Sequence, residues 1–199
     1  MPGYDTPASQ ESAPVKILIA GGFGVGKTTL VETISEIEPL RTEERLTAAG
    51  VGVDDLDGIE SKAVTTVAMD FGRITLTDAG VVLYLFGTPG QERFWFMWDD
   101  LLNGALGAIV LVDTRRLDRS FPAVDFFESR RLPFVVGANC FHGEQSYTAE
   151  EIGAALHLRD PNTPVLMLDA RSRTDVRASL LALLDLLIGR AEAPVAVSG

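Results

Sequence analysis

The chain is constrained first by a rhythm. Short apolar runs rich in β-branched residues recur at Val15–Ala20, Val81–Phe86, Leu106–Val112, Pro133–Ala138 and Pro164–Leu168, with helix-period segments between them. Runs of this length without polar alternation fit strands buried on both faces. Strands that alternate with helices build a mostly parallel sheet covered on both sides, with ligand sites beyond the C-terminal strand ends. Thr28 to Ile37 follows the first run directly, and Arg119 to Arg131 carries Phe121, Val124 and Phe127 on one helical face. Thr148 and Glu151 have capping-box spacing and predict a helix through Leu156, while Ser172 and Asp175 predict the start of the last one. In that last helix Val176, Leu180, Leu183, Leu184, Leu187 and Ile188 are spaced as a single buried stripe.

One segment breaks the rule. From Val64 to Leu76 the residues Val64, Thr66, Ala68 and Asp70 alternate with Thr65, Val67, Met69 and Phe71. This predicts an antiparallel edge strand, hairpinned to Val81–Phe86 through Asp78-Ala79-Gly80. Glu38 to Lys62 has no clear period and is acidic around Asp54, Asp55, Asp57 and Glu60, the pattern of a long functional connection. The 199 residues, 46% hydrophobic, suit one domain. Its expected limits are 14–190, between a disordered arm at 1–13 and a flexible tail at 191–199.

A formal charge of −11 disfavours any broad phosphate-tracking surface, so neither nucleic acid nor anionic membrane is an expected partner. The apolar runs fall well short of the roughly 20 residues that cross a bilayer, and neither a myristoylation glycine nor a prenylatable cysteine is present. A stable membrane anchor is therefore not expected. One cysteine, Cys140, precludes an internal disulfide and suits a reducing, cytoplasmic setting.

Any bound anion must then be held by a local device. Gly21-Gly22-Phe23-Gly24-Val25-Gly26-Lys27-Thr28 matches G-x-x-x-x-G-K-[ST], with a strand before it and a helix after it. Glycines let the backbone wrap an anion, amides from Gly24 through Val25, Gly26 and Thr28 to Thr29 point at phosphate oxygens, and Lys27 spans the outer phosphates. Thr28 offers its hydroxyl to magnesium. Lysines are scarce, at positions 16, 27 and 62, so a lysine at this one position is unlike chance.

Later segments narrow the class. Leu85-Phe86-Gly87-Thr88-Pro89-Gly90-Gln91-Glu92-Arg93-Phe94 resembles the Asp-Thr-Ala-Gly-Gln-Glu-Arg-Phe switch II of Ras and Rab proteins. Thr66 to Phe71 is similar to the switch I threonine and its following strand. Asn139 ends a strand where that superfamily places its base-recognition motif, and Asp169-Ala170-Arg171 stands where Ser-Ala-Lys is usual. The Thr-Pro-Gly and Asn-Cys-Phe segments look most like bacterial members, the gliding-motility GTPases and conservon-type GTP-binding proteins.

The resemblance implies a three-layer P-loop NTPase fold of the small-GTPase type, with a mostly parallel six-stranded sheet and one antiparallel edge strand. It implies GTP and GDP as ligands, Mg2+ held by Thr28 and Thr66, and slow GTP hydrolysis in a molecular switch. Gln91 would orient the attacking water and the Gly90 N–H would contact the γ-phosphate, with Lys27 and Thr66 beside them. Asn139, Cys140, His142, Ala170 and Arg171 would surround the base. The aromatic run with Phe94, Trp95, Phe96 and Trp98 is the expected partner surface, and the bacterial relatives imply a regulatory protein such as a roadblock-fold one.

Three departures bear on chemistry. Gly87 replaces the switch II aspartate, which predicts a weaker magnesium site. His142 replaces the guanine-reading aspartate, and a neutral imidazole accepts one hydrogen bond where a carboxylate accepts two, so guanine preference is expected to relax unless Glu144 substitutes. Cys140 replaces a lysine whose stem stacks on the base. Phe23 adds bulk where an arginine finger would enter, and Arg41 or Arg45 in the switch I segment are cis candidates for that role. Two other readings stay open: a nucleotide-binding scaffold with negligible turnover, and an ATP/GTP-binding protein of relaxed specificity.

Overall fold

The computed structural model describes residues 12–47, 64–91, 94, 96–141 and 146–192. Its strands are β1 (Ala13–Gly21), β2 (Leu40–Thr47), β3 (Val64–Leu76), β4 (Val81–Gly87), β5 (Ala105–Val112), β6 (Phe134–Asn139) and β7 (Val165–Leu168). The helices are α1 (Lys27–Ile34), α2 (Phe96–Leu102), α3 (Phe121–Ser129), α4 (Ala149–Ala155) and α5 (Arg173–Glu192). The strands form one sheet in the order β2-β3-β4-β1-β5-β6-β7.

The α/β architecture follows the apolar rhythm. All five apolar runs become parallel strands, and β3 pairs antiparallel with β4 across a tight turn in which the Gly80 N–H bonds the Thr77 carbonyl at 3.1 Å. The six expected strands are present with one antiparallel member, but β3 is not the edge. A further strand, β2, pairs with it antiparallel from Leu40↔Phe71 to Thr47↔Val64. The connection expected at Glu38–Lys62 thus begins as a strand, whose lack of hydrophobic period reflects its position at the margin of the sheet.

Alternation along the central strands divides two apolar layers. Ile17 and Ile19 of β1, with Ile109 and Leu111 of β5, join Leu30, Val31, Val176, Leu180 and Leu183 beneath α1 and α5. Leu18 and Ala20, with Ala108 and Val110, join Trp98, Val124, Phe127 and Ile152 beneath α2, α3 and α4. Burying both faces removes water from every central strand, and this is the main stabilising term of such a sheet.

Local chemistry sets the helix ends. α1 stops at Ile34 rather than Ile37 because the Ser35 hydroxyl donates to the Ile37 carbonyl at 2.8 Å and accepts from the Arg73 N–H at 3.2 Å, holding the chain extended. α3 starts only at Phe121, after a 3-10 segment at Thr114–Ser120, with Pro122 in its first turn. The Thr148–Glu151 capping box forms in both directions, at 2.8 and 3.2 Å. The predicted stripe of α5 is buried at Val176, Leu180 and Leu183 and partly covered at Leu184 and Leu187. Ile188 is exposed, while its neighbours Leu186 and Leu187 still pack against the core, so the stripe ends one residue earlier than its spacing predicts. Among the described residues no helix is long and apolar enough to cross a membrane.

Candidate nucleotide site

β1 lies at the centre of the sheet, where the chain reverses its winding direction, so the loop that follows it opens onto the crevice such sheets use for ligands. Gly26 occupies the N-cap of α1 with φ of 108°, and a Cβ there would lie 2.5 Å from Asn139 Nδ2. Both the left-handed backbone and the contact demand glycine. Lys27 begins α1 and curls back, its Nζ donating to the carbonyls of Gly21 at 2.9 Å and Gly22 at 2.8 Å. Burial pushes its ammonium down to about 8, opposed by the Asp70 carboxylate. The site therefore contains a partly desolvated cation, short of negative charge around it.

A cleft of about 390 Å3 brings the two glycine-rich segments face to face, with Gly24, Val25, Gly26, Lys27, Thr28 and Thr29 on one side and Thr88, Pro89, Gly90 and Gln91 on the other. A Cβ on Gly90 would sit 2.6 Å from Lys27 Nζ and 2.9 Å from Phe23 Cα, so the two loops approach as closely as glycine permits. Thr88 is buried and lines this cleft, and its Oγ has no hydrogen-bond partner among the described residues. Buried hydroxyls are ordinarily paired, so this one fits a polar ligand or its water shell. Phe23, 65% exposed, stands at the cleft mouth.

Thr28 and Asp70 are joined across the sheet. The Thr28 hydroxyl donates to Asp70 Oδ2 at 2.6 Å, and Asp70, from β3, is buried in the cleft wall. Asp70 lines the cleft, and further along the same strand Thr66 pairs with Arg45 in the ladder to β2. Arg41 and Arg45 are placed on β2 opposite Asp70 and Thr66. In the sequence Asp70 stands out only as the one acidic residue of β3.

The second half of the site gathers where β6 and β7 end. Asn139 is buried, donating from Nδ2 to the Val25 carbonyl at 2.9 Å and accepting at Oδ1 from the Ala170 N–H at 3.0 Å. It braces the phosphate loop against the turn after β7, and Thr33 strengthens the joint by donating to the Ala170 carbonyl at 2.8 Å. A smaller recess of about 90 Å3 unites Gly26, Thr29, Asn139, Cys140, Ala170 and Arg171. The Arg171 guanidinium is held by Asp169 at 2.9 and 2.7 Å, and that carboxylate raises its pKa. Its far wall is Phe141, under the Arg115 guanidinium at 4.2 Å, which Asp113 in turn binds at 2.8 and 2.9 Å. The Arg115 hydrogen bond lowers the Asp113 pKa against the opposing effect of burial. Neither Asp113 nor Arg115 carried a sequence signal, since their pairing depends on the 3-10 turn after β5. His142 and Glu144 lie outside the described residues.

The expected aromatic surface is largely core. Trp98 is 2% exposed, its Nε1 donates to the Pro89 carbonyl at 3.1 Å, and its ring lies against Phe126 and Phe127 with centroids at 5.0 and 5.8 Å. Phe94 is also buried, whereas Phe96 is 63% exposed, and Trp95 lies outside the described residues. The helical turn of α2 sends neighbouring aromatics in opposite directions, which a count of aromatics cannot reveal.

A glycine-rich loop between a central strand and a helix, with lysine and threonine at its end and a facing Thr-Pro-Gly-Gln segment, defines a P-loop nucleotide-binding protein. The chain belongs to the family described as conserved hypothetical ATP binding protein, which it matches over residues 19–189. It is similar to Uncharacterized protein MJ1339 of Methanocaldococcus jannaschii, 31% identical over 127 residues, covering 63% of this chain and 69% of that protein. Ras-related protein Rab-7b of Homo sapiens is 30% identical over 155 residues, covering 78% of this chain; the chain spans 66% of that protein's length. Ras-related protein SEC4 of Candida albicans is 27% identical over 187 residues, covering 88% and 78%. The cytosolic domain of L. pneumophila FeoB shares the fold, with a TM-score of 0.60 at 18% identity, over 86% of this chain and 68% of that one.

Proposed function

We propose that this chain is a guanine-nucleotide switch: it binds GTP and GDP with Mg2+, hydrolyses GTP slowly and controls a protein partner. The observation that carries this reading is the single cleft in which Lys27 and Thr28 face Gly90 and Gln91. Amides from Gly24 to Thr29 and the Lys27 ammonium would neutralise the polyphosphate, and Thr28, with Thr66, would hold the metal. When bound, Mg2+ offsets charge on the outer phosphate oxygens. Gln91 orients water, and the Gly90 N–H contacts the γ-phosphate. Asn139, Cys140, His142, Ala170 and Arg171 enclose the base. The names of the Ras-related relatives and of GTP-binding protein ypt2 of Schizosaccharomyces pombe support guanine as the base.

The partner reading rests on Phe96, exposed on α2, with Phe23, exposed at the cleft mouth, as the docking point for a regulatory protein, for example of roadblock fold. Within this reading the chain is a cytoplasmic protein of the bacterial branch, supported by the Thr88-Pro89-Gly90 and Asn139-Cys140-Phe141 segments. Its nucleotide domain spans 14–190 between a terminal arm and tail.

A second reading, an ATP-binding or non-hydrolysing protein, is favoured by the description of the matched family and by Cys140 and His142 in the base motif. Competition of GTP, GDP, ATP and ADP for the full chain with Mg2+ separates the two. Guanine nucleotides displacing at lower concentration, with single-turnover GTP hydrolysis that falls at least tenfold in Gln91→Leu, is the expected result. Preference for ATP, or hydrolysis that Gln91→Leu leaves intact, selects the alternative.

A further inference from the structure

A helix that is apolar all round is ordinarily buried all round. α5 is covered on one side. From Ser179 to Ile188 it reads Ser-Leu-Leu-Ala-Leu-Leu-Asp-Leu-Leu-Ile, in which Asp185 is the one charge. Its inner side packs on the sheet through Val176, Leu180 and Leu183. On the outer side Leu181 is 49% exposed and Ile188 55%, one heptad apart and therefore nearly in line along the helix. Leu184, partly buried, borders the same band.

The charges beside this band are placed symmetrically. Arg177 lies four residues before Leu181 and Asp185 four residues after it, and both are exposed. Neither has an opposite charge three or four residues away along α5, and neither joins an ion pair among the described residues. Two copies of α5 laid antiparallel about a two-fold axis through Leu181 bring each residue after Leu181 against the one equally far before it in the second copy. Leu181 then meets its own copy, and Arg177 meets Asp185 on both sides of the axis. Leu184 falls on Ala178 and Ile188 on Thr174, so each large side chain faces a smaller one. The band is thus complementary to itself in shape and in charge. An unrelated apolar helix could cover the same leucines, but it would have no use for charges mirrored about Leu181.

We propose that the outer face of α5 is a homodimer surface, on which a second copy of this chain docks antiparallel in a register set by two Arg177 to Asp185 pairs. The seam is one helix wide, so the dimer is of the weak, concentration-dependent kind. α5 and α1 cover one face of the sheet and α2 the other, so Phe96 stays open in the pair. The proposal stands independently of the nucleotide reading.

Sedimentation velocity of the full chain, from micromolar concentrations to about 0.5 mM, tests it with the parent, Arg177→Glu, Asp185→Arg and Leu181→Glu. All three positions are exposed, so the fold of the single chain should persist, which circular dichroism checks. The parent should sediment increasingly as a dimer as concentration rises. Arg177→Glu sets acid against acid twice, Asp185→Arg sets base against base twice, and Leu181→Glu brings two like charges to the axis. Each should weaken association about tenfold or more. The decisive sample is an equimolar mixture of Arg177→Glu and Asp185→Arg chains, in which every facing pair again joins an acid to an arginine, so that dimers return as heterodimers. A parent that stays monomeric throughout overturns the proposal. So does a dimer that tolerates either charge reversal or Leu181→Glu, and so does a mixture that fails to pair.

Discussion

The side-chain amide of Asn139 and the carbonyl of Val25 meet at 2.9 Å, joining the end of β6 to the loop after β1. With Oδ1 accepting from the Ala170 N–H, the same amide spans both halves of the cleft. Asn139→Ala strands a buried carbonyl and a buried N–H, each costing about 1–3 kcal/mol. Thermal unfolding should show a lower Tm, and affinity should drop for guanine and adenine nucleotides alike, because the loosened element is the phosphate loop. A loss confined to guanine nucleotides would show instead that Asn139 acts chiefly on the base.

Lys27 supplies a pH signature. Its folded, ligand-free pKa of about 8 lies below its ordinary 10.5. Between those values the unfolded chain keeps a proton that the folded chain has shed, so ligand-free stability should rise with pH across that window. Below about 8 both states hold the proton and the slope from this group vanishes. Denaturant midpoints at pH 7, 8, 9 and 10 should climb in the parent relative to Lys27→Met.

Polyphosphate reverses that preference by stabilising the ammonium. Nucleotide affinity should weaken as pH passes above about 8, with proton uptake on binding. Calorimetry at pH 8.5 in two buffers of different ionisation enthalpy measures the uptake directly, and equal heats in both would contradict it. Lys27→Ala should lose nucleotide binding by orders of magnitude at every pH.

How far the sequence could be read follows from what each signal depends on. The strands of the central sheet and the phosphate loop were legible because they are local: apolar runs, glycine spacing, a capping box. β2 was not, since an outer strand is stabilised by its ladder to β3 rather than by its own period. The bonds of Asp70 and Asn139 had no local signal because each is made to a partner distant in sequence, Thr28 and Val25.

Close approach of the two glycine-rich loops should make position 90 intolerant. Gly90→Ala places a methyl 2.6 Å from Lys27 Nζ, and the backbone of Phe23 at 2.9 Å leaves little room to retreat. Triphosphate affinity and single-turnover hydrolysis should both fall, with a smaller effect on the diphosphate. Equal loss for both nucleotides would place the clash at the Lys27 ammonium alone.

The aromatic run should divide sharply under mutation. Trp98→Ala empties a packed site and is expected to cost about 3–5 kcal/mol. Phe96→Ala changes an exposed side chain and should stay within about 0.5 kcal/mol. Chemical denaturation of both variants checks the contrast.

The bond from the Trp98 indole to the Pro89 carbonyl has an optical consequence. Any ligand that draws the 88–91 segment inward must stretch or re-aim that bond, altering the field on the indole. The protein thus carries a native fluorophore wired to its own cleft. With Trp95 replaced by phenylalanine, the emission maximum and lifetime of Trp98 become a label-free gauge of loop position as a ligand enters the cleft.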